Sequence, residues 1–141
     1  MIGSGDADRM NGAAGGDKLR GAGGSDYLYG AGGADRIFGA SGSDLLSGGH
    51  GKDRLFGGGG RDFLFGDDGR DRLSGGAGRD TFFVNGHDRI TDYRTGEAIV
   101  INAPEGGGLE YDSGVLYYDG AVVARLSGAP ALRLSDVTFD F

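Results

Sequence analysis

Apolar side chains in the first 83 residues recur one at a time, at a constant spacing of nine residues. They stand at equivalent positions from residue 10 to residue 82: Met10, Leu19, Leu28, Ile37, Leu46, Leu55, Leu64, Leu73 and Phe82. An apolar residue with one neighbour on either side makes a very short strand, whose central side chain points inward. The pattern therefore predicts three-residue strands separated by six-residue connections.

Aspartate and glycine keep the same phase as the apolar residues. An aspartate lies two residues before each apolar position, at Asp8, Asp17, Asp26, Asp35, Asp44, Asp53, Asp62, Asp71 and Asp80. A glycine lies five residues before each aspartate, at Gly3, Gly12, Gly21, Gly30, Gly39, Gly48, Gly57, Gly66 and Gly75. A second glycine lies two residues before eight of the nine aspartates, and Asp6 is the exception. Nine units therefore fill residues 3–83, a regularity that glycine richness alone does not produce.

The glycine-rich connections predict tight turns, because glycine accepts positive φ and lets carbonyl groups face a common point. Two units complete one coil of 18 residues, and successive coils stack at the strand spacing of ~4.8 Å. Stacking places the aspartates in two columns. The first column contains Asp8, Asp26, Asp44, Asp62 and Asp80, and the second contains Asp17, Asp35, Asp53 and Asp71. The predicted fold is all-β, with a parallel β-roll over residues 3–83.

The repeated unit resembles the G-G-x-G-x-D-x-U-x nonapeptide of the hemolysin-type, or RTX, proteins over residues 3–83. The resemblance implies a calcium-binding module that folds on Ca²⁺ binding outside the cell. It also implies the C-terminal domain of a bacterial effector that is exported by type I secretion. The second glycine is the least regular position, since alanine stands there at Ala13, Ala22, Ala31 and Ala40.

The aspartate columns favour a hard divalent cation. Carboxylates ~5 Å apart repel by ~1 kcal/mol in water and ~3 kcal/mol at an effective dielectric of 20, and a divalent ion between them reverses the sign. Carboxylate and carbonyl oxygens in a flexible arrangement suit Ca²⁺ better than Zn²⁺, Cu²⁺ or Mg²⁺. The predicted ligands are the nine aspartates together with the turn glycines Gly21, Gly30, Gly39, Gly48, Gly57, Gly66 and Gly75.

Aspartates 18 residues apart define up to seven interior calcium sites. Sites built on Asp8 are expected to be the weakest, because Asp6 replaces the usual glycine. An eighth site at the C-terminal end of the repeats is left open.

Composition and missing motifs narrow the function. The formal charge of −7 argues against nucleic acid and for cations, and the absence of cysteine excludes disulfides and thiolate metal sites. The sequence contains no H-E-x-x-H helix, G-x-S-x-G elbow or P-loop lysine motif, so we expect no enzyme activity. His50 is expected to be an exposed spacer and His87 a cap residue, rather than metal ligands.

The nine-residue period breaks after Phe83. The run Asp88–Tyr93 resembles the D-x-I-x-D-F segment that follows the repeats in secreted RTX proteins, and Ile99–Ile101 reads as a buried strand. However, Asp88 follows Asp80 by eight residues, and Ala98 stands where family members often carry a further aspartate. These departures argue against a last calcium site that uses Asp71 with Asp88 or Asp92.

Residues 84–141 are predicted to form a small antiparallel C-terminal cap. Asp119-Gly120 between the apolar runs 115–118 and 122–126 is a hairpin signal. The segment from Leu109 to Phe141 is similar to the tail of many type I-secreted RTX proteins, which implies an uncleaved export signal. The other interpretation is an edge strand that caps the roll, and the two are compatible.

The residues that flank the inward positions differ between alternate repeats. One outer face carries Tyr27, Tyr29, Leu45, Phe63 and Phe65, and the other carries Lys18, Arg20, Arg36, Arg54 and Arg72. We call the first group the aromatic strip; it is either a contact surface for the C-terminal hairpin, a second copy or an upstream domain, or ordinary β-propensity. The basic face either balances the aspartate columns or tracks an anionic polysaccharide. The second reading makes the chain a calcium-dependent accessory module, like those of alginate epimerases.

Overall fold

The computed structural model describes residues 1–85, 88–94, 96–102, 109–112, 115–118, 121–126 and 136–140. Within these ranges the chain forms eighteen short strands. In chain order they are β1 (Arg9–Asn11), β2 (Lys18–Gly23), β3 (Tyr27–Tyr29), β4 (Gly32–Gly33), β5 (Arg36–Ser41), β6 (Leu45–Ser47), β7 (His50–Gly51), β8 (Arg54–Gly60), β9 (Phe63–Phe65), β10 (Asp68–Gly69), β11 (Arg72–Gly78), β12 (Thr81–Val84), β13 (Asp88–Ile90), β14 (Ala98–Asn102), β15 (Leu109–Asp112), β16 (Val115–Tyr118), β17 (Ala121–Leu126) and β18 (Val137–Asp140).

The strands form a parallel β-solenoid, consistent with the predicted β-roll. A seven-stranded sheet runs β1-β3-β6-β9-β12-β14-β18, and an eight-stranded sheet runs β2-β5-β8-β11-β13-β17-β16-β15. A three-stranded ladder of β4, β7 and β10 joins the turns on one side. No helix in the described ranges is long and apolar enough to cross a membrane.

The register repeats every 18 residues, as the coil length predicts. Leu28 pairs with Leu46 and Leu46 with Leu64 in the seven-stranded sheet, and Leu19 pairs with Ile37 in the eight-stranded sheet. The inward side chains from Leu19 to Phe82 are completely buried, and Met10 at the first coil is 8% exposed. One apolar side chain per strand therefore builds a narrow core along the axis of the coils.

Two positions of each turn require a left-handed backbone. The residue two before the column aspartate has φ between +94° and +153° in the eight repeats with glycine there, for example +133° at Gly60. The second repeat position is also left-handed, including at the four alanines, where φ lies between +73° and +91°. An L-residue is strained in this region, so these alanines are less favourable there than glycine.

The parallel ladders continue past residue 83, although the nine-residue repeat ends there. Arg72 pairs with Arg89 and Thr81 with Ala98, so the last two coil steps span 17 residues instead of 18. Ile90 and Ile99 stay completely buried, because the alternation of inward and outward side chains survives the deletion of one residue. The roll expected to end at residue 83 therefore extends into β13 and β14.

The last strands are divided between the two sheets. β17 pairs in parallel with β13, whereas β16 pairs antiparallel with both β17 and β15. β18 pairs in parallel with β14 and forms the edge of the seven-stranded sheet. The predicted Asp119-Gly120 turn lies outside the described residues, as do 127–135 and 141 of the predicted export segment.

The aromatic strip lies on the outer face of the seven-stranded sheet. Tyr27 and Phe63 are 49% and 44% exposed, and Phe65 stacks on Phe83 with ring centroids 4.0 Å apart. The hairpin strands β16 and β17 extend the eight-stranded sheet, so their backbone does not lie over this strip. The suggested docking of the hairpin on the strip was wrong, because pairing with β13 places the hairpin at the other sheet.

Candidate metal centre

The column aspartates are joined through their side chains and backbones. In each pair the backbone N–H of one aspartate donates to Oδ1 of the aspartate one coil later, at 2.6–3.0 Å. The N–H of Asp35, for example, donates to Asp53 Oδ1 at 2.8 Å. Stacking strands put this donor and acceptor at the same height, so each column is a continuous hydrogen-bonded chain.

The second carboxylate oxygen of the interior aspartates has no hydrogen-bond partner within the described part of the chain. The residues concerned are Asp26, Asp35, Asp44, Asp53, Asp62, Asp71 and Asp80. Each of them is only 1% exposed, so water cannot easily satisfy the Oδ2 atom. A buried carboxylate oxygen without a partner is costly, and a cation beside it removes the cost.

The first glycine of each repeat leaves the space beside this oxygen open. A Cβ at Gly48 would lie 2.6 Å from Asp53 Oδ2 and 2.8 Å from the carbonyl oxygen of Gly66 in the next coil. The same arrangement recurs at Gly21, Gly30, Gly39 and Gly57, where an added Cβ would meet the column aspartate and the glycine carbonyl one coil later. Any side chain at these positions would fill a space bordered by a carboxylate and a carbonyl oxygen.

The oxygen donors fit a hard divalent cation. Among the described residues no three His, Cys, Asp or Glu side chains come together as a metal cluster, so carboxylates alone cannot complete a coordination shell. Backbone carbonyls beside the unpartnered Oδ2 atoms supply the further oxygens. A mixed shell of carboxylate and carbonyl oxygens is what Ca²⁺ accepts, whereas Zn²⁺ prefers nitrogen and sulfur ligands.

The first coil differs from the interior. Asp8 and Asp17 are only partly buried, and the N–H and hydroxyl groups of Ser4 donate to Asp8 Oδ2 at 2.7 and 3.1 Å. The oxygen that is free in the interior is therefore satisfied at Asp8. This agrees with the expectation that sites built on Asp8 are the weakest.

Asp88 continues the second column, contrary to the argument from spacing. The N–H of Asp71 donates to Asp88 Oδ1 at 3.0 Å, and Asp88 is completely buried. A Cβ at Gly66 would lie 2.7 Å from Asp88 Oδ2 and 3.2 Å from Asp71 Oδ2. The spacing argument assumed an 18-residue coil, but a 17-residue coil brings Asp88 to the same height. The signal that could have found it is Ile90, an apolar residue two positions after Asp88 as in every repeat.

Two further aspartates hold turns and do not join the columns. Asp92 accepts the Ser74 hydroxyl at 2.8 Å and two glycine N–H groups of the following turn at 2.9 and 3.0 Å. Asp67, at φ +62°, accepts the Ser47 hydroxyl at 2.6 Å and the Gly49 N–H at 3.2 Å. The sequence gave no signal for these contacts, since both aspartates lie at positions that vary between repeats.

His50 is exposed, as predicted for a spacer. Its Nδ1 lies 2.8 Å from Asp68 Oδ2, and 82% and 70% of the two side chains are exposed. The pair lies on the outer side of the three-stranded ladder, where β7 and β10 place the residues opposite each other. His87 lies outside the described residues.

Burial raises the pKa of the interior column carboxylates. It is the largest cause at Asp44, Asp53, Asp62, Asp71, Asp80 and Asp88, and charges of neighbouring aspartates raise most of these pKa values further. The pKa of Asp62 rises from 3.8 to about 6, even though the N–H of Asp44 lowers it. Without a cation, the ionised columns therefore oppose the fold at neutral pH.

Comparison with known families supports this interpretation of the turns. The profile of the RTX calcium-binding nonapeptide repeat matches four overlapping stretches, residues 2–37, 29–64, 47–82 and 56–90. Together they cover residues 2–90, which is more than half of the 141 residues. No curated protein matches the chain.

Gly48→Ala should weaken calcium binding because its Cβ would occupy the space between Asp53 Oδ2 and the Gly66 carbonyl. We expect the calcium midpoint of folding to rise roughly tenfold, which corresponds to about 1.4 kcal/mol. The matched control is Gly59→Ala, where the added Cβ meets only the Ala40 carbonyl oxygen at 3.9 Å. Circular dichroism during calcium titration measures both midpoints, and equal midpoints would contradict the assignment of the glycine cradle.

Calcium-stripped protein should fold better in acid than at neutral pH. The folded pKa of Asp62, about 6, lies above its unfolded value of 3.8, so protonation favours the folded state. This stabilisation is fully present below pH 3.8 and is lost as the pH rises through about 6. We expect the β signal in metal-free buffer to fall between pH 4 and pH 7. A signal that grows with pH over this range would contradict the burial of ionisable columns.

Proposed function

The chain belongs to the RTX calcium-binding nonapeptide-repeat family, and from this membership we propose that it is a secreted module whose roll folds around Ca²⁺ ions held between successive coils. RTX repeats bind Ca²⁺, and the family is a structural module without catalytic function. RTX repeat proteins are typically secreted, which fits a module that requires extracellular calcium.

The observation that carries the proposal is the row of buried Oδ2 atoms without partners. Each of these atoms belongs to an aspartate whose other oxygen is already fixed by the preceding coil. A cation at this place would neutralise two coils at once, so binding at one site would order the ligands of the next. The family supplies the identity of the cation, and the oxygens of this chain supply its place.

Consecutive members of each column would hold the ions. The first column offers the pairs 8/26, 26/44, 44/62 and 62/80, and the second offers 17/35, 35/53 and 53/71. The continuation to Asp88 supports an eighth site, 71/88. The turn glycines from Gly21 to Gly75 would contribute carbonyl oxygens.

The calcium requirement would make the module a switch between compartments. Extracellular modules of this kind bind Ca²⁺ at about 10⁻⁴ to 10⁻³ M, far above the free concentration in the cytosol. Inside the cell the columns would repel and the glycine-rich chain would stay unfolded, in a form suited to a secretion channel. Residues 84–141 would close the roll after export and carry the export signal, and an effector domain would precede the repeats.

Aspartates of two interior sites should matter more than those of one terminal site. We expect Asp53→Asn to raise the calcium midpoint of folding several-fold more than Asp8→Asn, because Asp53 borders the 35/53 and 53/71 pairs. Asparagine keeps the oxygen that accepts the Asp35 N–H, so the comparison isolates the loss of charge. Calcium titrations followed by circular dichroism give the midpoints.

Two outcomes would count against the proposal. If both variants fold at the same calcium concentration as the parent chain, the columns do not bind the ion. If the parent chain keeps its full β signal in excess chelator at pH 7.5, folding does not depend on calcium.

A second candidate function is calcium-dependent binding of an anionic polysaccharide. Lys18, Arg36, Arg54 and Arg72 pair directly with one another across β2, β5, β8 and β11, and all four side chains are exposed. Their spacing along the sheet is the strand spacing of ~4.8 Å, which is suited to a polymer with one carboxylate per sugar. The stacked rings of Phe38 and Phe56, 4.9 Å apart, lie beside this row.

Affinity electrophoresis in a gel containing a soluble polyuronate tests this candidate. With calcium present, the parent chain should be retarded and the double variant Arg36→Gln/Arg54→Gln should run freely. The control Arg61→Gln/Arg79→Gln removes the same charge from exposed turn positions and should be retarded like the parent. Equal retardation of the two double variants would reject the cation row as a binding surface.

A further inference from the structure

The first column has a sixth member that the repeat pattern does not contain. Thr81 pairs with Ala98 in the seven-stranded sheet, which places Glu97 opposite Asp80. The N–H of Ala98 donates to the Asp80 carbonyl at 2.9 Å, and the N–H of Thr81 donates to the Asp62 carbonyl at the same distance. The backbone at Glu97 therefore repeats the backbone of each aspartate earlier in the column.

The Glu97 carboxylate is divided in the same way as those of the column aspartates. Its Oε2 accepts the N–H of Arg94 at 2.6 Å, which closes a turn in which the Glu97 N–H also donates to the Arg94 carbonyl at 3.1 Å. Its Oε1 has no hydrogen-bond partner within the described residues, and the residue is only 2% exposed. One oxygen thus builds the turn, and the other is buried without a partner.

Asp80 presents a matching oxygen. Its Oδ1 accepts the Asp62 N–H at 3.0 Å, whereas its Oδ2 is buried and without a partner among the described residues. The nearby Asp92 uses both of its oxygens on Ser74 and two glycine N–H groups. The Arg94 guanidinium donates to the Gly76 carbonyl, so this donor is used on the backbone.

The local charge is strongly negative. Burial is the main cause that raises the pKa of Glu97 to about 7, and the charges of Asp80 and Asp92 raise it further. Arg94 lowers the pKa of both Glu97 and Asp80, but neither carboxylate is brought back to its ordinary value.

We propose that Asp80 and Glu97 form a further Ca²⁺ site, which closes the first column at its C-terminal end. The inference rests on the proposed function of the columns and extends it beyond the nonapeptide pattern. Two buried oxygens without partners, on adjacent strands, provide the hard anionic donors that Ca²⁺ takes. An ion there would fasten the segment 94–102 to the last repeat, and would link the repeats to the strand that pairs with β18.

Counting bound ions by native mass spectrometry tests the site. At saturating calcium Glu97→Gln should carry one ion fewer than the parent chain, because glutamine keeps the oxygen that caps the turn but lacks the charge. The control Asp68→Asn removes one charge from an exposed side chain outside the columns and should carry as many ions as the parent. Asp53→Asn serves as the reference for the proposed function and should also lose ions.

The outcomes separate the two ideas. If Glu97→Gln keeps the parent ion count while Asp53→Asn loses ions, the Asp80–Glu97 site is rejected and the proposed function stands. If Asp53→Asn loses none, the proposed function fails. Should Glu97→Gln lack the native β signal in calcium, Asp80→Asn decides, since Asp80 borders two sites with Glu97 included and only one without it. A loss of two ions supports the site, and a loss of one overturns it.

Discussion

The structure depends on how each buried aspartate divides its two oxygens. Oδ1 accepts a backbone N–H from the coil before, which fixes the height of one coil over the next. Oδ2 is buried beside a glycine and faces no donor of the chain among the described residues. The hydrogen bond sets the geometry, and the free oxygen leaves negative charge inside. The fold is therefore complete in its backbone and incomplete in its electrostatics, which is the condition under which a cation controls folding.

The narrowness of the core makes this control effective. Each strand contributes one inward side chain, such as Leu46 or Leu55, and the turns contribute almost no apolar surface. Glycine in the turns is costly to order, because it loses more backbone freedom on folding than any other residue. The turns nevertheless require it, both for left-handed φ values and for the close approach of the carboxylate at positions such as Gly48. A thicker core would fold without the ion and would lose the dependence on calcium.

Most of the roll could be predicted from the sequence, because its period sets the register directly. The pairing of Leu28 with Leu46 follows from the 18-residue coil, and so does the donation from Asp26 to Asp44. The prediction failed where the chain lost one residue. Asp88 and Glu97 were excluded by counting, yet strand pairing selects which side chain faces inward, and Ile90 and Ile99 keep that choice. The turn contacts of Asp67 and Asp92 depend on side-chain reach across coils, which no spacing rule contains.

The most direct test of the account is a crystal structure grown in calcium, with the ions located by anomalous scattering. The account predicts ions in the turns, between successive column aspartates and within bonding distance of their Oδ2 atoms, at about 2.3–2.6 Å. The glycine carbonyls beside them, such as that of Gly66, should complete the coordination. Well-ordered crystals with no ions in the turns, or with ions only on the outer faces of the sheets, would contradict it.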